Sequence, residues 1–120
     1  MTSFVVLIEG PVLQGQSFVS ALRFMQQAVL AGHTVDSVFL YRDAVHAASA
    51  LIDLPSDEPN LSARLQQFCC QHQIPLLFCV TAAEKRGVCS NEVQPAQGYT
   101  AAGLAEFAMR LAQTDKLVQF

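Results

Sequence analysis

Short apolar runs bounded by turn residues recur along the chain and predict strands. Four such runs are expected to form strands, at residues 4–8, 35–41, 76–80 and 117–120. The first three are apolar enough to be buried on both faces of a sheet. A short further strand is expected near Val93, and Pro95 would confine it to the edge of the sheet because proline cannot donate to a strand ladder.

The segments between these runs have apolar residues at helical spacing. They predict a helix at 17–31, a small-residue helix at 44–51, and helices capped by Asn60, Thr81 and Thr100. The last helix has a predicted core stripe of Leu104, Phe107, Ala108 and Leu111. Strand and helix in alternation predict an α/β fold, a three-layer α/β/α sandwich with a mainly parallel sheet of four to five strands. Residues 1–120 form one domain.

The composition indicates a protein that is partly covered by a partner. Hydrophobic residues make up 52% of the 120 residues and charged residues only 14%, which is more apolar surface than a small monomer readily hides. We therefore expect an oligomer. The net charge of −3 argues against direct binding of nucleic acid.

Targeting signals and metal motifs are not evident in the sequence. No apolar run is long enough to span a membrane, and the N-terminal residues do not resemble a signal peptide, so we expect a cytoplasmic protein with reduced cysteines. Cysteines stand at 69, 70, 79 and 89, without the C-x-x-C spacing of zinc or thioredoxin-like sites. We expect neither a metal nor a cofactor.

Cys79 is the candidate nucleophile. It stands where the buried run 76–80 ends and a short helix begins, and ligands gather at the carboxyl ends of parallel strands. Free N–H groups at a helix start, and cations such as Lys85 and Arg86, favour a thiolate. A nucleophilic cysteine without a dedicated base suits the transfer of sulfane sulfur.

The other three cysteines have weaker claims. Cys69 falls on the core stripe of its helix, where burial raises a thiol pKa, and Cys70 beside it has no evident cation. Cys89 is expected in an accessible loop without activation, which makes it the one serious competitor. His46 is more simply explained as a partly exposed helix residue than as a functional group.

Residues 10–17 resemble a phosphate-binding loop in all but one fixed position. Gln16 replaces the lysine of the pattern G-x-x-x-x-G-K-[ST], and Pro11 removes a backbone donor. A strand-to-helix turn explains the segment better, although a flavodoxin-like binder of small ligands stays an alternative.

Several segments, in order along nearly the whole chain, resemble one protein family. They are the opening strand into Gly10-Pro11, Val38-Phe39-Leu40-Tyr41-Arg42, Ser56-Asp57-Glu58, Cys79-Val80-Thr81-Ala82-Ala83 with Arg86-Gly87-Val88, Gln97-Gly98-Tyr99-Thr100, Gly103-Leu104, and the tail Asp115-Lys116-Leu117-Val118-Gln119-Phe120. This set is similar to the DsrE-like sulfurtransferases, and among them to sulfur-relay subunits of the TusD type. The family's active cysteine lies at the position of Cys79.

The resemblance implies a persulfide carrier in the relay that makes 2-thiouridine at the tRNA wobble position. Its implied partners are TusB-like and TusC-like subunits in a heterohexamer, a TusA-like sulfur donor and a TusE-like acceptor. It also implies that the last strand lies beside the first. A non-catalytic structural subunit of such a complex is the alternative, against which the presence of Cys79 speaks. Residues 89–96 are shorter than the corresponding family loop and carry the extra Cys89.

Overall fold

The computed structural model describes residues 1–120. Five strands are formed: β1 (Ser3–Ile8), β2 (Thr34–Leu40), β3 (Leu76–Cys79), β4 (Thr100–Ala102) and β5 (Lys116–Gln119). Four α-helices connect them: α1 (Ser17–Leu30), α2 (Leu61–Gln71), α3 (Val80–Lys85) and α4 (Leu104–Ala112). A 3₁₀ helix, Arg42–Ala48, follows β2. None of the helices is both long and apolar enough to cross a membrane.

The strands form one all-parallel sheet in the order β4-β3-β2-β1-β5. The predicted α/β fold class is confirmed, and so is the position of the last strand beside the first. Every residue of β3 is buried, as its unbroken apolar sequence predicts for a strand covered on both faces. Because the strands are parallel, their carboxyl ends meet at one edge of the sheet.

The two faces of the sheet are covered unequally. Helices α1 and α2 pack against each other on one face, and the 3₁₀ helix joins that layer through contacts with α2 and α3. Strands β1 to β4 follow one another towards one edge of the sheet, whereas β5 lies at the opposite edge. The right-handed crossover from β4 to β5 therefore places α4 on the opposite face. There Phe107 of α4 stacks on Phe39 of β2, with ring centroids 4.9 Å apart.

The edge strand lies later in the chain than predicted. Val93 lies in a turn, where its carbonyl accepts a hydrogen bond from the Ser90 N–H. Thr100 belongs to β4 instead of capping the last helix. Pro95 forms an isolated antiparallel bridge with Ser49. A three-residue strand of threonine and alanine carries too little apolar pattern to be found by periodicity.

Two predicted helix starts are also corrected. Helix α3 begins at Val80 with Cys79 as its N-cap residue, so Thr81 lies inside the helix instead of capping it. The predicted helix at 44–51 is a 3₁₀ helix that starts at Arg42 and ends at Ala48. The predicted cap at Asn60 is confirmed, because its Oδ1 accepts from the Ala63 N–H at 3.0 Å.

The predicted core stripe of α4 is largely exposed. No residue of this helix is buried, Leu104 is 52% exposed, and Phe107 and Leu111 are only half-buried. Leu117 of β5 is also exposed, at 42%. The amphipathic pattern does form the predicted helix, but a single nine-residue helix does not cover this face of the sheet.

Candidate active site

Cys79 stands at the junction between β3 and α3. It is the last residue of β3 and has an extended backbone, and it is only 3% exposed. Leu77 pairs with Phe39, whose ring faces α4, so the alternation of side chains directs Cys79 to the same face. The predicted position of the candidate nucleophile, at the carboxyl end of a buried strand, is therefore the one observed.

A cavity of about 380 Å³ adjoins Cys79. Besides Cys79, the lining includes Tyr41, Arg42, Thr81, Lys85, Arg86 and Leu104. These residues come from the junction between β2 and the 3₁₀ helix, from α3 and the turn after it, and from the start of α4. Although the sequence left the reach of Lys85 and Arg86 open, the fold brings both to the cavity.

No motif in the sequence marks Tyr41, Arg42 or Leu104 as a site residue, although all three line the cavity. Tyr41 and Arg42 directly follow β2, which neighbours β3, so the rule for carboxyl ends of parallel strands was a usable signal. Leu104 offered no such signal, because its approach to the cavity depends on the path of the chain from β4 into α4.

Three basic side chains line the cavity, and two of them are paired. The Arg42 Nε lies 2.7 Å from Glu9 Oε2, and the Arg42 guanidinium lies 5.8 Å from the centre of the Tyr41 ring. The Arg86 Nε donates to Asp43 Oδ1 at 3.0 Å.

Lys85 differs from the two arginines because it takes part in none of the four ion pairs of the structure. Its charge is therefore not neutralised by a carboxylate. An anion in the cavity would meet Lys85 as the free positive charge.

The other three cysteines lie in less reactive surroundings. Cys69 is buried in the core, and its burial raises the thiol pKa to about 12. Cys70 is exposed on α2 and does not line the cavity.

The prediction that Cys89 is accessible was wrong. After the turn at Gly87, which has a φ of 70°, the chain folds inward and buries both Val88 and Cys89. Burial and the nearby carboxylate of Glu84 raise the pKa of the Cys89 thiol. A buried thiol beside an acidic group is a weak nucleophile, because its raised pKa disfavours the thiolate.

Other candidate groups lie away from the Cys79 cavity. His46 is exposed on the 3₁₀ helix and lines a separate hollow with Val12 and Leu13. At Gly10 a Cβ atom would clash with Ser17 Oγ, so the start of α1 fills the space above this glycine. No grouping of three or more His, Cys, Asp or Glu side chains is suited to hold a metal ion.

Comparison with known proteins agrees with this architecture. The family model described as DsrE/DsrF-like matches residues 2–120. Among solved structures, the ychN protein from E. coli superimposes with a TM-score of 0.82 at 22% identity, over 100% of both chains. A protein of unknown function from Methanobacterium thermoautotrophicum gives a TM-score of 0.68 at 13% identity, again over 100% of both chains. The chain therefore belongs to the DsrE/DsrF-like family, which is associated with sulfur transfer.

Proposed function

We propose that this protein is a sulfurtransferase that carries sulfane sulfur as a persulfide on Cys79. The observation that supports this most strongly is the position of the Cys79 thiol, at the end of a buried strand and beside a cavity that holds the unpaired Lys85. The thiolate is the nucleophilic form of cysteine, and a positive charge in the cavity attracts the anionic persulfide of a donor. Helix α3 has only six residues, so its dipole adds little to the positive potential that Lys85 provides in the cavity.

Loading is a thiol–disulfide type of exchange that needs no outside oxidant. The Cys79 thiolate attacks the terminal sulfur of a donor persulfide, R–S–S⁻, and a new S–S bond forms at Cys79. The S–S bond within the donor breaks, and the donor leaves as a thiolate that takes up a proton. Sulfane sulfur moves from one cysteine to the other, and the pair of thiols undergoes no net oxidation.

Unloading repeats the exchange in the opposite sense. An acceptor thiolate attacks the outer sulfur of the Cys79 persulfide, and the Cys79 thiolate is released. Between the two steps the bound sulfur occupies a confined site, because Cys79 itself is only 3% exposed. Such confinement slows attack by small thiols and oxidants from solution, and a donor or acceptor has to present its sulfur through the cavity.

We further propose that the transfer belongs to the relay for 2-thiolation of the tRNA wobble uridine, with this chain in the TusD-like role. The segments that resemble TusD-type subunits support this assignment. In that role a TusA-like protein donates sulfur, a TusE-like protein accepts it, and TusB-like and TusC-like subunits complete a heterohexamer. The exposed apolar residues on the α4 face, Leu104, Met109 and Leu117, are suited to contact such subunits.

Mass spectrometry of protein loaded with a donor persulfide tests the carrier function. The wild-type chain should gain one sulfur atom, about 32 Da, on the peptide that contains Cys79. Cys79→Ser should lose this adduct and the transfer to an acceptor thiol, with an unchanged circular dichroism spectrum. Sulfur that still loads and transfers in Cys79→Ser would contradict the assignment.

Co-expression with TusB-like and TusC-like relatives tests the assembly. We expect a stable complex that Met109→Lys and Leu117→Lys weaken, because each places a charge on an apolar surface of the α4 face. Leu51→Lys is the control, since Leu51 is 80% exposed in a loop outside this face. A wild-type chain that stays monomeric beside both relatives at micromolar concentration would contradict the relay assignment.

A further inference from the structure

A second hollow, separate from the Cys79 cavity, lies between α1 and α2. Its volume is about 430 Å³, and its lining includes Leu22, Arg23, Arg64, Gln67 and Phe68. We call it the α1–α2 groove. Its lining runs along about two turns of α1 and about three turns of α2, a span of roughly 10 to 15 Å at 1.5 Å per residue. This elongated shape suits a segment of chain.

The charged residues of the two helices are all positive. Arg23 is the only charged residue of α1 and Arg64 the only charged residue of α2, and all ten acidic residues of the chain lie elsewhere. Both arginines are exposed, and neither takes part in an ion pair. Asp57 and Glu58 stand in the loop before α2, and they do not pair with Arg64 either. The groove is thus positively charged in a protein of net charge −3.

The composition of these helices differs from that of a solvated helix surface. Surface helices usually carry both lysines and acidic residues, whereas α1 and α2 contain no Lys, Asp or Glu. Their outer positions carry arginine and glutamine instead, above the half-buried Phe68 and the buried Leu22. Depletion of lysine and acidic residues, with arginine and aromatic residues retained, is typical of the core of a protein–protein interface.

We propose that the α1–α2 groove binds an acidic segment of a partner protein. Carboxylates of that segment would pair with Arg23 and Arg64, and an apolar side chain would cover Phe68. Arginine is suited to this role because its guanidinium binds a carboxylate with two hydrogen bonds. A nucleic acid fits less well, since two cations in an acidic protein neutralise few phosphates. The groove lies outside the residues assigned to sulfur transfer, so the two proposals stand or fall separately.

Selection from a library of random twelve-residue peptides displayed on phage tests this proposal directly. Peptides retained by the wild-type protein should be enriched in Asp and Glu and should contain a large apolar residue. A synthetic copy of a selected peptide should bind more weakly as NaCl rises from about 50 to about 300 mM, because salt screens exposed ion pairs.

Arg23→Glu and Arg64→Glu should each weaken peptide binding by about tenfold or more, which corresponds to ~1.4 kcal/mol. Lys116→Glu, on exposed β5, makes the same change in charge and should leave the affinity within about twofold of the wild-type value. Loading of Cys79 with sulfur should be the same in all three variants.

Three results would overturn the proposal. One is selected peptides without acidic enrichment, and another is acidic peptides that bind both arginine variants as well as the wild type. The third is competition of the selected peptide by RNA, since that would assign the groove a different occupant.

Discussion

Arg42 is paired with Glu9 across the carboxyl ends of two neighbouring strands, with 2.7 Å between Nε and Oε2, while its own backbone is left-handed at a φ of 53°. The pairing of β1 with β2 brings the two residues together, and the Tyr41 N–H donates to the Ile8 carbonyl just before them. Gln119 of β5 donates its side-chain amide to the other oxygen of Glu9. Three strand ends therefore hold a strained arginine beside the Cys79 cavity.

Replacing Arg42 by glycine should separate its backbone cost from its function. A left-handed conformation costs a non-glycine residue roughly 1–2 kcal/mol, which glycine removes, although glycine also makes the unfolded chain more flexible. We expect Arg42→Gly to be about as stable as the wild type, because the relief of strain offsets the loss of an exposed ion pair worth ~0–1 kcal/mol. Sulfur loading of Cys79 should slow several-fold, because the change removes a side chain that lines the cavity and leaves the Glu9 carboxylate without its cation, which disfavours an anionic persulfide. Urea unfolding and loading rates measure the two effects.

Gln73→Gly is the matched control for Arg42→Gly. Gln73 is the other non-glycine residue with a positive φ, 56°, and it lies in the turn after α2, outside the cavity. Glycine there should stabilise the fold by about 0.5–1 kcal/mol without changing sulfur loading. If both variants slow loading equally, the effect of Arg42 would be on the fold and not on the site.

Lys85→Gln should selectively reduce the reaction of Cys79 with anions. Iodoacetate is negatively charged and iodoacetamide is neutral, and both alkylate the same thiolate. Loss of the unpaired charge should lower the ratio of the iodoacetate rate to the iodoacetamide rate by about two- to fivefold, equivalent to ~0.5–1 kcal/mol. Mass spectrometry of the Cys79 peptide measures both rates.

Lys116→Gln removes an equal charge from exposed β5 and should leave this ratio unchanged. A ratio that is the same in Lys85→Gln and the wild type would show that Lys85 does not act on anions at the thiol.

The four cysteines should separate by accessibility and chemistry when each is changed to serine. Cys70→Ser should remove a site that alkylates readily, since Cys70 is exposed, but it should not affect sulfur transfer. Cys89→Ser should also preserve transfer, because Cys89 does not line the Cys79 cavity and its thiol pKa is raised by burial and by Glu84. Transfer assays to an acceptor thiol check both. If Cys89→Ser abolished transfer while Cys79→Ser kept it, the nucleophile would be Cys89.

The fold should lose stability at alkaline pH through Cys69 and Tyr99. Burial raises the pKa of Cys69 from 9.0 to about 12 and that of Tyr99 from 10.0 to about 12. The unfolded chain therefore releases these protons at a lower pH than the folded chain. The stabilisation from Cys69 is fully present below pH 9 and that from Tyr99 below pH 10. Above these values each contribution falls by about 1.4 kcal/mol per pH unit as pH rises towards 12.

Urea unfolding at several pH values measures this slope, and Cys69→Ala and Tyr99→Phe are the diagnostic variants. Cys69→Ala should flatten the loss of stability between pH 9 and 12, and Tyr99→Phe should flatten it between pH 10 and 12. Tyr99→Phe should also cost about 1–3 kcal/mol at neutral pH, because the Tyr99 hydroxyl donates to the buried Ser62 carbonyl at 2.7 Å. An alkaline slope that is unchanged in both variants would mean that other groups control it.

Four of the five strands, the four α-helices and the position of the candidate nucleophile Cys79 followed from the sequence. Runs such as residues 4–8 and 76–80 are short, apolar and separated by helical patterns, and such a pattern has few solutions other than a parallel sheet. Cys79 could be placed because the end of a buried strand and the start of a helix are both local features. The same local reasoning placed the cap at Asn60.

The tertiary structure alone decided what surrounds these elements. Glu9, Arg42 and Lys85 are distant in sequence, and only the pairing of strands and the path of α3 determine which charges meet at the cavity. Burial of Cys89 and exposure of Leu104 likewise depend on how neighbouring segments cover each residue. Hydrophobic periodicity shows which residues share one face of a helix or strand. Whether that face is buried depends on how many other helices and strands cover it, which is a property of the whole fold.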